Sequence, residues 1–307
     1  MNGAHISGAK VLVTGPAGNL GWPVARALAA DNEVWGLARF SDPAARARVE
    51  AARIRTVAKD IGVDHLDDLP ADFDYVFHAA SLIPMVSERD MARTFEINTQ
   101  GTARLLAHCS RARSFVFCST AGVYRHQPRP LVEDDDYGVD VPAYAMSKVA
   151  AEQAVRYLSG SAGIPAVILR VGALYGPDGG SGGATAPIDR MVAGKEIWVN
   201  PVEPRGVSLL WEDDAVRLAV RAFSVGQVPP LVLNFAGEEQ VPVEEYCTFA
   251  GELVGRRPRF RYTDQAYPAN PLDTARMRQV LGRCHTSWRE GIRTVVERRY
   301  PHLLRSG

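Results

Sequence analysis

The chain has almost no lysine. Only Lys10, Lys59, Lys148 and Lys195 stand among its 35 basic residues, which are matched by 35 acidic ones. With a formal net charge of zero there is no electrostatic footprint for nucleic acid, whose binding depends on clustered cations neutralising phosphates. Cysteine is as scarce. Cys109, Cys118, Cys247 and Cys284 lie far apart, without C-x-x-C or Cys/His ligand spacing, so no metal site is expected and the thiols read as buried and free. No apolar run approaches the roughly 20 residues that span a bilayer, and Met1 to Ala9 lacks a signal-peptide core, so a cytoplasmic protein is expected. Internal repeats and low-complexity tracts are missing too.

What is present is an ordinary globular composition, 46% hydrophobic and 23% charged over 307 residues. That length suits one large α/β domain or a dinucleotide domain with a smaller appendage. Short apolar runs recur at Lys10–Thr14, Glu33–Leu37, Arg55–Ala58, Tyr75–His78, Ser114–Cys118 and Ala166–Leu169, separated by polar or helical stretches. Six strands alternating with helices predict a doubly wound parallel sheet, with ligands at the carboxyl ends of its strands. The glycine-rich stretch Asp178–Gly183 marks a transition, giving a dinucleotide-binding domain over 1–177 and a smaller, mainly substrate-binding lobe over 178–307 with some return of chain to the first domain. Helices are expected in that lobe at Pro187–Gly194, Pro242–Val254 and near Trp288–Glu297.

Thr14-Gly15-Pro-Ala-Gly18-Asn19-Leu20-Gly21 places glycines three apart, directly after a strand and before a helix. Glycine is needed there for a sharp turn, for close approach of backbone to a pyrophosphate, and for packing of helix on strand. The helix N-terminus adds amide donors and a positive dipole end. The second strand ends in Leu37-Ala38-Arg39, where NAD-preferring sites usually carry an acid that holds the ribose hydroxyls. Arginine cannot accept those hydrogen bonds but can pair with a 2′-phosphate, so NADP is expected over NAD, an inference that nearby Asp42 opposes.

Tyr144-Ala-Met-Ser-Lys148 opens a helical run, so tyrosine and lysine share one face one turn apart. A phenol with a pKa of about 10 is a poor base at neutral pH, whereas a neighbouring ammonium and an oxidised nicotinamide both favour the phenolate. Tyr144 could then take a proton from an alcohol or give one to a forming alkoxide.

With these motifs in place the chain resembles the extended short-chain dehydrogenase/reductase family, also called the NAD-dependent epimerase/dehydratase family. The matching residues are Thr14–Gly21, Lys59–Ile61, Phe77–Ser81, Asn98–Gly101, Cys118–Tyr124, Tyr144–Lys148, Leu169-Arg170, Tyr175–Pro177 and Trp211–Asp214. The resemblance implies that Gly15, Gly18, Asn19, Leu20 and Gly21 bind the cofactor together with Arg39. It makes Asp60 and Ile61 neighbours of the adenine, and Ala79, Ala80 and Ser81 neighbours of the nicotinamide ribose. Thr120 corresponds to the family's substrate-binding hydroxyl, with Ser119 as the fallback, and completes a catalytic set with Tyr144 and Lys148. Asn98 either supports the lysine or a water, or is a capping or buried structural residue. The family also implies a homodimer through helices spanning Thr94–Ser110 and Tyr144–Tyr157.

Departures from the family narrow the chemistry. Dehydratases of the family carry an acidic pair after the hydroxyl residue and decarboxylases a glutamate in that loop, but Ala121-Gly122 stands here. Simple redox chemistry or redox-driven epimerisation is left. The Asn expected two residues before Tyr175 is Ala173, and the Arg expected ahead of the aspartate segment is Val207. Arg205, or the run Arg256, Arg257, Arg259 and Arg261, would have to replace those phosphate contacts, although charge runs usually face water. Trp198, Trp211 and Tyr262 offer apolar surface for a pocket or for core packing. The expected function is hydride transfer at a carbonyl or alcohol of a small substrate, with a nucleotide-sugar 4-epimerase as the alternative and a non-catalytic NAD(P)-binding protein as the third possibility.

Overall fold

A computed structural model describes residues 6–177 and 183–304; apart from Gly183, the expected Asp178–Gly183 transition lies outside them. The chain runs β1 (Lys10–Thr14), α1 (Gly21–Leu28), β2 (Glu33–Ala38), α2 (Pro43–Ala51), β3 (Arg55–Ala58) and β4 (Tyr75–His78). Short helices α3 (Pro84–Ser87) and α4 (Met91–Phe95) follow, then a π-helical turn at Glu96–Gln100 continuing into α5 (Gly101–His108). Next come β5 (Ser114–Thr120), α6 (Ala143–Ala162), β6 (Ala166–Val171), β7 (Ala173–Tyr175), α7 (Thr185–Val192), β8 (Ile197–Val199), β9 (Gly206–Trp211) and α8 (Glu212–Ala222). The chain closes with β10 (Leu231–Phe235), β11 (Gln240–Pro242), α9 (Val243–Val254), β12 (Phe260–Tyr262), α10 (Ala275–Leu281) and α11 (Trp288–Arg299).

Seven strands form one sheet in the order β10-β6-β5-β4-β1-β2-β3, with β3, β2, β1, β4 and β5 pairing in parallel. This is the doubly wound Rossmann arrangement. Its strand order reverses between β1 and β4, and such a fold binds ligands in the crevice at the carboxyl ends of those strands. Val11, Leu12 and Val13 are buried and α1 turns Val24, Ala25 and Leu28 inward, so an almost wholly apolar strand sits under an amphipathic helix. The six-strand reading omits β10, whose run Leu-Val-Leu-Asn-Phe completes the sheet edge beside β6. β5 also extends two residues beyond Cys118, which makes Thr120 its last residue.

The chain divides into two compact units. One comprises Met1–Arg125, Asp136–Arg170 and Val216–Leu233; the other comprises His126–Asp135, Val171–Ala215 and Asn234–Gly307. One of the changes of unit falls between Arg170 and Val171. The second unit holds a three-stranded sheet, β11-β9-β7, and the parallel pair β12-β8. Its core joins Tyr175, Trp211, Tyr246, Trp288 and Ile292, which assigns Trp211 to packing, while Trp198 and Tyr262 are exposed. Helix α11 begins with a capping box in which Ser287 and Glu290 satisfy each other's backbone N–H groups.

Within that core a methyl group at Gly291 would lie 2.1 Å from the Tyr175 hydroxyl. Alanine favours a helix interior over glycine by up to about 1 kcal/mol. Gly291→Ala is nevertheless expected to destabilise the protein by about 1–3 kcal/mol, because overpacking forces Tyr175 from its place. Urea unfolding with a midpoint at or above that of the parent would show the contact to be relaxed at no cost.

Candidate active site

β1 ends in Thr14, and Gly15 turns the chain with φ of +68°, a conformation that side chains disfavour. A Cβ at Gly15 would lie 3.0 Å from the Ala80 nitrogen, and one at Gly21 only 2.1 Å from the Gly15 carbonyl oxygen. Both glycines are therefore required by the protein's own packing. Gly18 differs: its Cβ would meet only the Gly15 carbonyl, at 3.3 Å, and Gly18 and Asn19 are exposed. Leu20 occupies the N-cap of α1 and makes no side-chain capping bond; the Trp22 N–H turns back to the Gly18 carbonyl at 3.0 Å, and the positive end of the helix faces the turn. The turn fits a dinucleotide pyrophosphate on these grounds.

Across the crevice, β4 ends in His78, and Ala79, Ala80 and Ser81 follow. A buried relay fixes this junction. Thr102 donates to the Asn98 carbonyl at 2.7 Å, so its oxygen accepts from His78 Nε2 at 2.7 Å. His78 Nδ1 then accepts from Thr14 Oγ1 at 2.6 Å, and Thr14 accepts the Ala80 N–H at 3.1 Å. Burial, with the charge of Lys148, pushes the His78 ring down to about 3, so it stays neutral and its tautomer stays fixed.

α6 carries Tyr144 in its first turn and Lys148 in its second. Burial holds the Tyr144 phenol above its ordinary value, although Ser81 nearby favours the phenolate. Lys148 is 1% exposed, with its Nζ 4.5 Å from the Phe117 ring centroid. Burial pushes its ammonium down to about 8, against the pull of Cys118 and Glu152, so it remains protonated at neutral pH. Thr120 ends β5 and accepts the Gly122 N–H at 3.2 Å. A Cβ on Gly122 would meet Thr120 Oγ1 at 3.5 Å and Ala145 Cβ at 3.6 Å, so this loop lies against the start of α6.

The profile of the NAD dependent epimerase/dehydratase family matches residues 11–231. The chain belongs to this family. Among its relatives is a dTDP-4-dehydro-6-deoxy-D-allose reductase of Streptomyces bikiniensis, 28% identical over 303 residues that cover 90% of this chain and 91% of the relative. Another is a 3-diazoavenalumate denitrifying reductase from a Streptomyces species, 28% identical with coverage of 92% and 99%. In fold the chain is similar to the UDP-glucuronic acid 4-epimerase of Bacillus cereus, solved with UDP-glucuronic acid and NAD. That likeness has a TM-score of 0.82 at 23% identity and covers 94% of this chain and 98% of that one.

In this member of the epimerase/dehydratase family the remaining candidate residues have diverse placements. Asn98 sits buried in the π-helical turn, accepts the Leu82 N–H at 2.8 Å and donates to Ser147 Oγ at 3.0 Å, while Ser147 bonds the Tyr144 carbonyl at 2.7 Å. It ties the β4 loop to α6 through the tyrosine's own turn. Asp60 accepts the Gly62 N–H at 2.9 Å and pairs with Arg93, and the Ile61 side chain is in the core. Arg39 is exposed. Asp42, which stood against an NADP preference, caps α2 by accepting the Ala44 N–H at 2.9 Å.

Arg205 is held by Glu203 at 2.7 Å and Glu244 at 2.5 Å, Arg259 bonds the Gly194 carbonyl at 2.5 Å, and Arg261 lies 5.8 Å from the Trp198 ring centroid. Two groups escaped the sequence reading. Arg48 on α2 donates to the Ala17 carbonyl of the glycine turn at 3.2 Å and stacks 4.6 Å from the Trp22 ring centroid. Glu152, on α6 one turn beyond Lys148, is fully buried with Arg170. The signal for Glu152 was its place on the buried face of an amphipathic helix, where an acid needs a partner. Arg48 gave no local signal.

Proposed function

We propose that this protein is an NAD(P)-dependent reductase or dehydrogenase acting at the carbonyl or alcohol carbon of a small substrate. The observation that carries this reading is Tyr144 in the first turn of α6, one helical turn from Lys148, which is buried and charged. When bound, the nicotinamide supplies or accepts the hydride. Tyr144 gives a proton to the forming alkoxide in reduction, a direction favoured by a phenol held above its ordinary value, and takes it back in oxidation. Thr120 orients the substrate oxygen, and Lys148 holds the nicotinamide ribose and favours the phenolate. Gly15, Gly18, Asn19, Leu20 and Gly21 carry the pyrophosphate; Asp60 and Ile61 border the adenine, and Ala79, Ala80 and Ser81 the nicotinamide ribose.

NADP is the preferred nucleotide in this reading. Arg39 is exposed, Asp42 is committed to its helix cap, and Arg48 brings a second guanidinium to the glycine turn. Ala121 and Gly122 supply no acid or base for elimination. Ala173 and Val207 offer no polar side chain and Arg205 is paired with two carboxylates, which supports a substrate without a nucleotide diphosphate. Free cysteines and the exposed Tyr157 on α6 accord with a cytoplasmic homodimer through α5 and α6.

The test is to denature the purified protein, identify any released nucleotide, and follow loss of reduced-nicotinamide absorbance with a panel of ketones and aldehydes. NADPH is expected to bind roughly tenfold more tightly than NADH, as a charge-assisted phosphate contact worth about 1.4 kcal/mol would give, with oxidation that depends on the carbonyl compound. Tightly retained NAD, with interconversion of UDP-sugars and no net oxidation, would install the 4-epimerase in its place. Failure to bind either nucleotide in a calorimetric titration would sink both.

A further inference from the structure

Lys148 is a buried cation, and a charge removed from water requires compensation nearby. Three titratable groups bear on its charge, His78 from β4, Cys118 from β5 and Glu152 from its own helix, and Tyr144 precedes it by one turn of α6. His78 is held neutral. Burial pushes the Cys118 thiol up to about 12 and keeps the Tyr144 phenol above its ordinary value, so neither is an anion at neutral pH. Glu152 is the one that is left, with a side chain fully removed from solvent.

The surroundings of Glu152 are built to hold it in place. Arg170 on β6 reaches Oε1 with its Nε at 3.1 Å and Oε2 with Nη2 at 2.8 Å, a two-pronged grip. Ser119 donates to Oε1 at 2.5 Å and Tyr137 to Oε2 at 2.8 Å. The guanidinium lies 4.6 Å from the Tyr124 ring centroid and 4.9 Å from that of Tyr137, so its faces are covered as well. Burial opposes the charge on Arg170, but the bonds and charge of Glu152 outweigh it and hold the guanidinium above its ordinary value. One carboxylate thereby ties together β5 at the residue before Thr120, α6 one turn beyond Lys148, and β6.

We propose that Glu152 is the positioning residue of this site: gripped by Arg170 and Ser119, it serves as the internal counter-charge of the Tyr144–Lys148 pair and fixes the strand end that presents Thr120. The role rests on the reading of Lys148 as the working ammonium of an oxidoreductase. Burial disfavours the Lys148 charge and Glu152 supports it, so loss of the carboxylate is expected to let the lysine deprotonate at lower pH.

The chain's four lysines make that measurable directly, by following isotope-labelled lysine Cε resonances through a pH titration of the nucleotide-free protein. The parent's Lys148 midpoint is expected at about 8. Glu152→Gln alone leaves Arg170 buried without a counter-charge, so the double variant Glu152→Gln/Arg170→Met is measured beside it. In the folded double variant the midpoint should fall by about one unit or more, whereas Ser119→Ala, which keeps the carboxylate, should leave it within about 0.3 unit. An unchanged midpoint in the folded double variant, or an equal fall in Ser119→Ala, overturns the proposal. Neither nucleotide nor substrate enters the measurement, so its failure is separate from any failure to find hydride transfer.

Discussion

Tyr144→Phe is expected to lower turnover by about a thousandfold, within the 10²–10⁴ range that a positioned proton donor contributes. Phenylalanine preserves the ring in the first turn of α6 and removes only the hydroxyl. Nucleotide affinity should therefore change by less than roughly threefold, and kcat and kcat/KM should fall together, the mark of a group that acts in the transition state. The measurement is oxidation of the reduced nucleotide with the best carbonyl substrate from the panel, alongside a binding titration of the same preparation. Turnover within a few-fold of the parent would remove Tyr144 from the chemistry. Loss of nucleotide binding of the same size as the loss of turnover would make the residue part of the cofactor cradle instead.

Arg170→Ala carries the largest expected effect on stability. It strips a side chain that is 2% exposed from a carboxylate that is fully buried, and leaves Glu152 as an uncompensated anion. Breaking a buried pair by removing one partner costs about 3–5 kcal/mol. The rings of Tyr124 and Tyr137 also lose the guanidinium between them. At about 2–4 °C per kcal/mol for a chain of this order of size, the apparent Tm should fall by on the order of 10 °C. The double replacement Glu152→Gln/Arg170→Met should recover much of that, because it leaves no isolated charge. A single variant within about 2 °C of the parent would mean that water enters to solvate the carboxylate.

The parts of the fold that the sequence foretells are those written in local patterns. β1, β3 and β4 have the bounds that their apolar runs mark, and Gly15 and Gly21 are glycines for reasons of close packing that spacing already suggests. The Tyr144–Lys148 pair reads directly from a helical period of one turn. Misplaced or missed features depend on contacts between distant segments. β10 is a five-residue run whose strand character is decided by its neighbour β6, more than 60 positions earlier. Glu152 is a core acid only because β5 and β6 are adjacent in the sheet, which brings Ser119 and Arg170 to the same carboxylate. Asp42 beside Arg39 looked like a ribose partner, and its helix-capping bond to Ala44 is a geometric fact that composition does not carry.

The chain changes unit after Arg125, Asp135, Arg170, Ala215 and Leu233. Five covalent junctions therefore separate what in outline is a nucleotide-binding body and a smaller companion. The second unit cannot be exchanged between relatives by grafting one continuous cassette, since any such graft takes β10 or the His126–Asp135 segment with it or leaves it behind. A cut at a single junction releases no intact unit either. Each unit is discontinuous in sequence, so neither can be inherited or lost as a single stretch of chain.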